Sequence, residues 1–452
     1  MMTWEKLLNS SRLGRRPSKA EQGRSPFASD QDKVIFSGAF RRLARKTQVH
    51  PLATNDHIHN RLTHSLEVAS VGRSLGAAVG HALSRQQRLP ATILPAHIGE
   101  IVQAACLAHD IGNPPFGHTG EEAIRSWFSS DAGTPFLKEL GNLEQNDLKN
   151  FEGNAQGFRV LASSEFHPYD GGLRLTYATL AAFMKYPWTS LATISGDHPK
   201  RNKYGVYQSD VPLLVEVADA CGLKRHGSNW YCRHPLAHLV ELADDFCYAL
   251  LDLEDGLEMG ILSWTEMFDV IRPVLDQSKV HDLEVQLNDF GPGRRPPLIR
   301  GKVITTLVED AAKAFVEHEN EILGGGLHEL LAICSPHVRD CVNNAKQLAK
   351  VRIFVHPRKI ELEIGAYATM ATLLSTMCHA VLDKVNGKST DYKTNRVLDL
   401  IGEKTFDPRA QAGDSECSRL YLHLMRVLDF VSGMTDNYAV HIARQFSGLG
   451  EH

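Results

Sequence analysis

Four side chains able to bind a metal or carry a proton fall within thirteen residues: His109 and Asp110, then His118 and Glu121. The stretch reads Cys106-Leu107-Ala108-His109-Asp110-Ile111-Gly112-Asn113-Pro114-Pro115-Phe116-Gly117-His118-Thr119-Gly120-Glu121. Imidazole and carboxylate are the groups most used for metal ligation and proton transfer. The His-Asp pair closes an apolar helix running from Ile101 to Ala108. Gly112 and the two prolines then break that helix, because proline lacks the N–H and clashes with the preceding turn. His118 and Glu121, three apart at the start of the next helix, meet side by side.

Two other helices carry groups of the same kind. One begins at Arg61-Leu62-Thr63-His64 and reaches about Ser84, with His64, Glu67 and Val71 on one stripe. The other runs from Pro235 to about Gly256 and has a broad apolar face (Leu236, Leu239, Leu242, Phe246, Leu250). Asp244, Tyr248 and Asp252 are set into that face at steps of four, on one side of the helix. A buried carboxylate is costly without a partner, so the three read as a lined site, with a solvated stripe as the alternative. Together, His64, His109, Asp110 and Asp244 could hold one divalent cation. Mixed nitrogen and oxygen ligation favours Mn, Fe, Co, Ni or a tolerant Mg site over thiolate zinc. Four protein ligands in an octahedral shell leave about two positions open, as a metal hydrolase needs to polarise a phosphoryl oxygen and activate water.

The remaining pattern is helical. Residues 1–30 are polar and turn-rich, which predicts an extended arm. A helix is expected from Asp30 to Thr47, carrying Arg41, Arg42, Arg45 and Lys46 as a solvated face or as phosphate contacts. Further helices are expected over 97–109, 119–128, up to about 162, 176–184, 211–224, 258–290, 300–323, 327–356, 358–386 and 416–446. Strand signals are few and short. The class is therefore all-α, with an arm (1–30), a catalytic helical core (31–270) and a C-terminal helical region (271–452) packing on the core and serving oligomer contacts.

Composition narrows the partners. A net charge of −4 over 452 residues gives no global pull toward nucleic acid, leaving only local basic clusters such as Arg12, Arg15, Arg16 and Lys19. Eight cysteines without a CxxC pair read as reduced thiols. Cys221 and Cys232, with His226 and His234 nearby, look like the ends of a hairpin-shaped loop more than a zinc site, since close ligand spacing is missing. No apolar run of about 20 residues is evident, and Met1 to Arg24 has no signal-peptide core. A cytoplasmic protein with no membrane partner is expected.

Longer motifs sharpen this reading. Phe40-Arg41-Arg42-Leu43, Lys46-Thr47-Gln48-Val49, Arg61-Leu62-Thr63-His64-Ser65, His109 through His118, Phe151-Glu152-Gly153-Asn154-Ala155-Gln156, Lys185-Tyr186-Pro187, Ala243-Asp244-Asp245 and Ser432-Gly433-Met434-Thr435-Asp436 occur in that order. The chain thereby resembles the HD-domain phosphohydrolases and, from about residue 12 to 446, closely the dGTPase family of deoxynucleoside triphosphate triphosphohydrolases. The resemblance implies hydrolysis at the α-phosphorus, giving deoxynucleoside and intact tripolyphosphate. It implies His64, His109, Asp110 and Asp244 as metal ligands, His118 as the catalytic histidine and Glu121 as the carboxylate that orients it. Gln48 and Asp252 match residues around the 3′-hydroxyl, and Tyr248 a tyrosine under the sugar, where a ring leaves no room for a ribose 2′-hydroxyl. Arg61, Lys185, Tyr186 and Lys203 fall where the family contacts phosphates, while Glu363 and Arg396 fall near a base or subunit contact. A homo-oligomer, by resemblance a hexamer, a nucleotide effector and single-stranded DNA are the further partners implied.

The chain looks shorter than the dGTP-specific branch, so the implied substrate is dGTP or all four dNTPs. Other HD phosphohydrolases compete with this reading. A (p)ppGpp hydrolase would carry a His-Asp-x-x-Glu-Asp extension that is missing here, and a nucleoside monophosphatase would be shorter and lack the His118–Glu121 pair. A nucleic-acid-binding regulator with a vestigial site is the alternative from another class, and the retention of all four presumed ligands argues against it.

Overall fold

The first two site helices define the centre of the molecule. In the computed structural model, which describes residues 1–14, 23–48, 59–165, 171–190, 203–291, 294–355, 357–402 and 417–449, the helix Arg61–Arg85 opens on a capping box between Asn60 and Thr63. Its Val68, Val71, Leu75, Val79 and Leu83 meet Ile98, Ile101, Val102 and Ala105 of the helix Pro95–Ala108, all buried. The helix Pro235–Glu258 packs across both. Pro235 suits the first helical position, and His234 caps it by accepting from Leu236 N–H. The cavity described below meets the start of the first helix, the end of the second and the middle of the third.

The expected arm is instead an anchored part of the core. Trp4–Leu7 is helical, the Trp4 indole donates to Glu319 at 2.6 Å, and His234 Nε2 donates to the Leu7 carbonyl at 3.0 Å. Trp4, Leu7, Leu8 and Leu13 are buried; a few apolar residues spaced through polar sequence outweigh its average character. Arg12 pairs with buried Asp30 and so is committed inside the fold. Arg15, Arg16 and Lys19 lie outside the described residues.

Other boundaries shift for local reasons. The segment after residue 25 forms Pro26–Ile35 and Gly38–Arg42, because Ser25 and Ser37 each cap a new helix. The 258–290 pattern divides into Trp264–Ile271 and Val280–Asn288, broken by a 3₁₀ turn at Pro273. The 416–446 pattern divides into Arg419–Ser432 and Asp436–Phe446, the second capped by Thr435. The loop between Cys221 and Cys232 is a two-stranded hairpin, Arg225–Gly227 with Trp230–Tyr231, and Cys232 Sγ lies 2.8 Å from His226 Nε2.

Residue 270 is not a divide. One apolar core runs from Met2 to Ile353, with Ile271 fully buried within it. A second core joins Ile124, Phe128 and Tyr207 to Met370, Leu374, Leu424 and Val431. The C-terminal region thus packs on the catalytic helices in two places. Its stretch Ile360–Val385 is long and apolar enough to cross a membrane, contrary to the sequence expectation. Met370, Leu373, Leu374, Met377 and Cys378 are fully buried against neighbouring helices, which marks it as a core helix.

A very close backbone approach lies at the turn after Asp110. A Cβ on Gly112 would sit 2.0 Å from Gly153 O and 2.1 Å from Gly157 N. Gly112→Ala should therefore lower the thermal midpoint sharply. Gly301→Ala, in the helix Pro296–Glu317 with open space at its Cβ, should raise stability by roughly 0.5–1 kcal/mol. Thermal and urea unfolding of the two variants checks the contrast.

Candidate active site

The start of Arg61–Arg85, the end of Pro95–Ala108 and the middle of Pro235–Glu258 border a cavity of about 500 Å³. His109 is the C-cap of its helix, and its Nδ1–H donates to the Cys106 carbonyl at 2.7 Å. That bond selects the tautomer whose Nε2 lone pair points outward, as ligation needs. His109 Nε2 lies 3.6 Å and His64 Nε2 3.1 Å from one oxygen, Asp244 Oδ1. Donor atoms of His64, His109 and Asp244 all fall within 4.8 Å of one another.

Asp110 stands one step aside. Its Oδ1 accepts from Arg61 Nη1 at 2.8 Å and from the Asn113 amide. Its Oδ2 is buried, lies 3.7 Å from His109 Nε2 and has no hydrogen-bond partner. A buried carboxylate oxygen without a partner is costly, and a cation held by the three neighbouring donors would satisfy it. The residues therefore fit one divalent ion. Burial would raise the Asp244 carboxyl, but the His109 and His64 imidazoles and Lys185 hold it far below its ordinary value. Asp110 is likewise lowered against its burial, chiefly by Arg61.

The second histidine–carboxylate pair, His118 and Glu121, sits across the turn. Phe116 has φ +64° and Gly117 φ +58°, so two successive left-handed residues turn the chain into the helix Gly117–Ser129. Gly117 is required twice, since a Cβ there would also lie 2.4 Å from Arg61 Nη2. His118 Nδ1–H donates to Glu121 Oε2 at 3.0 Å, and 78% of the histidine side chain is accessible. Glu121 itself is buried and takes a second bond from Gly153 N–H at 2.7 Å. Burial pushes its carboxyl up, but His118, Lys203 and Arg125 pull it down to about 2.

Around these, the cavity wall holds Gln48, Arg61, Lys185, Tyr186, Lys203, Tyr248 and Asp252, while His64 packs on the Tyr248 ring and Glu121 holds His118. The Gln48 amide donates to the Tyr248 hydroxyl at 2.9 Å, and the Tyr248 ring lies 5.1 Å from the His64 ring. Burial, helped by the charges of Asp255 and Asp244, pushes the Asp252 carboxyl up to about 7. Lys185 faces Glu241 at 3.5 Å, and Lys203 pairs with Glu152 at 2.8 Å. Glu363 reaches the wall from the helix Pro357–Val385. Arg396 does not: it pairs with Asp399 at 2.9 Å on the surface. Of the basic 41–46 run, Lys46 is buried, and burial followed by Arg42 and Arg61 pushes its amine down to about 7.

Several wall residues had no assigned role in the sequence. Phe116, Asn154, Asp245 and Lys346 line the cavity, and Glu152, Arg125 and Glu241 hold the cations and the acid pair. Glu152 and Asn154 could have been flagged from the motif Phe151 to Gln156. Lys346, 2.7 Å from Asp245, carries no local signal because its helix reaches the site only through tertiary packing.

Comparison with known proteins shows the family. The HD-domain family model matches residues 61–248, a span that contains His64, His109, Asp110 and Asp244. A deoxyguanosinetriphosphate triphosphohydrolase-like protein of Pseudomonas aeruginosa is 47% identical over 99% of both chains. A protein of the same description from Synechocystis is 37% identical, covering 99% of this chain and all of its own. The deoxyguanosinetriphosphate triphosphohydrolase of Yersinia enterocolitica is 29% identical over 91% of this chain and 92% of its own.

The depressed Glu121 carboxyl fixes a pH signature. It contributes stability above its unfolded value, near 4.5, and that contribution is lost as pH falls toward about 2. The gap in thermal midpoint between wild type and Glu121→Gln should accordingly shrink across that window, as calorimetry at stepped pH would show.

Proposed function

This chain belongs to the deoxyguanosinetriphosphate triphosphohydrolase-like family of HD-domain hydrolases, and we propose that it cleaves deoxynucleoside triphosphates to deoxynucleoside and tripolyphosphate. The observation that carries the reading is the pairing, in one cavity, of a His-His-Asp donor set with a separate carboxylate-held histidine. His64, His109, Asp244 and Asp110 Oδ2 would hold one divalent ion, Mg, Mn, Co, Ni or Fe, whose charge lowers the cost of attack at phosphorus.

The protein's own groups account for the rest. Arg61, Lys185 and Lys203 offer cationic donors to the triphosphate, and Glu241 and Glu152 keep two of them extended before substrate arrives. Glu121 fixes His118 through Nδ1, leaving Nε2–H to protonate the departing 5′-oxygen. Gln48 pins the Tyr248 ring, which packs where a 2′-hydroxyl would project, so ribonucleotides are disfavoured. Asp252, neutral up to about pH 7, can donate a hydrogen bond to the sugar.

The reading extends to surroundings. All eight cysteines are free thiols, in keeping with a reducing cytoplasm. Ile360, Ile364 and Tyr367 form an exposed apolar run beside Glu363, surface that a homo-oligomer, hexameric by resemblance, would cover. A nucleotide effector and single-stranded DNA are the partners to add to the same assay.

Chromatography of products from each dNTP, alone and in mixtures, with Mn²⁺ or Mg²⁺ should show tripolyphosphate as the first phosphorus product. Pyrophosphate or orthophosphate released first would overturn the assignment. Asp110→Ala should abolish turnover, and His118→Ala should lower kcat by about 100-fold or more while leaving Mn²⁺ affinity, read by calorimetry, near that of wild type.

A further inference from the structure

We propose that Asp436, near the C-terminus, is a positioning residue that aims His118 and seats Gln48. The inference rests on His118 acting as the proton donor. Asp436 is the first residue of the helix Asp436–Phe446 and is buried. Its two oxygens serve different clients. Oδ1 accepts the Phe116 N–H at 3.0 Å, 320 residues away in sequence. Oδ2 accepts the Thr47 N–H at 3.0 Å and the Thr47 hydroxyl at 2.5 Å.

Each bond bears on a residue that works in the cavity. Phe116 is the N-cap of the His118 helix, its φ is +64°, and no side chain caps that helix. A left-handed backbone is strained for a residue with a Cβ, so the Phe116 conformation needs an outside partner. Asp436 supplies it at the N–H itself. If Phe116 relaxed, Gly117 and His118 would swing with it, because they follow directly as the first turn. Thr47 adjoins Gln48, and the same stretch pairs with Asn60 and gives the Lys46 carbonyl to Arg61 N–H at 3.2 Å. Lys46 Nζ completes the bolt, donating at 2.6 Å to both Asn113 O of the catalytic turn and Ser432 O of the C-terminal segment. A single buried carboxylate thus couples the turn before His118, the Thr47–Gln48 segment and the start of the helix that bears His64, while making no hydrogen bond to the metal donors.

The test compares steady-state kinetics of wild type, His118→Ala, Asp436→Ala, Asp436→Asn, Phe116→Gly and the double variant Asp436→Ala/Phe116→Gly, with Mn²⁺ calorimetry and thermal unfolding on each. Asp436→Ala should lower kcat by about 10- to 100-fold, with Mn²⁺ affinity unchanged. Asp436→Asn, which keeps the shape but loses one acceptor, should fall between it and wild type, and it carries the test if the alanine variant does not fold. Glycine adopts the left-handed backbone freely, so Phe116→Gly should recover kcat several-fold in the Asp436→Ala background while lowering it in the otherwise wild-type chain. Tyr438→Ala, exposed on the same helix, should leave kcat unchanged.

A near-wild-type kcat in both Asp436 variants, or a Phe116→Gly effect equal in the two backgrounds, overturns the positioning role. So does a loss of kcat that tracks loss of Mn²⁺. If instead His118→Ala keeps its kcat, the proton-donor assignment fails first, and the two failures are separable because that variant leaves Asp436 intact.

Discussion

The ion pair between Arg61 and Asp110 is the contact on which the site depends. Both side chains are almost wholly buried, at 2.8 Å, and each stands at the cavity end of its own helix. Removing one partner from such a pair leaves a charge in the interior, at about 3–5 kcal/mol. That cost holds the start of Arg61–Arg85 against the end of Pro95–Ala108 and so brings His64 beside His109. The same bond occupies one oxygen of Asp110 and leaves the other aimed inward. It also explains Gly117, whose missing Cβ makes room for the Arg61 guanidinium.

Charge in the cavity is arranged in opposed pairs. Lys185 leans on Glu241, and Lys203 and Arg125 share Glu152 and Glu121. Each cation is therefore ordered before any anion binds, which would reduce the entropy lost on binding the proposed triphosphate substrate. Glu121 has two duties, as counter-charge for the cations and as holder of His118. Because those charges keep it ionised, it does not take the proton from the histidine it orients.

The C-terminal third contributes more than bulk. Buried Arg159 bonds Asp429 through Nε at 2.8 Å and Nη2 at 3.0 Å, and Gln156 bonds the same carboxylate at 2.8 Å. The helix Gly153–Arg159, whose backbone presses on Gly112, is thus fastened to Arg419–Ser432. With the Asp436 and Lys46 contacts, the catalytic turn is clamped from a side that carries no metal donor.

Sequence alone determined the helical class, the three site helices and which of their polar residues share a face. Those are local facts: a proline break after Asp110, a helix opening at Pro235, and steps of four from Asp244 to Asp252. It also paired His118 with Glu121, since residues three apart on a helix are neighbours on its surface. Only the tertiary structure decided that Asp110 divides its oxygens between Arg61 and the donor set, that Trp4 and Leu13 are core, and that Arg396 stays at the surface. The same holds for Lys346 in the cavity wall and for Asp436 behind Phe116. Such contacts join residues far apart in the chain, through burial and packing that no local pattern encodes.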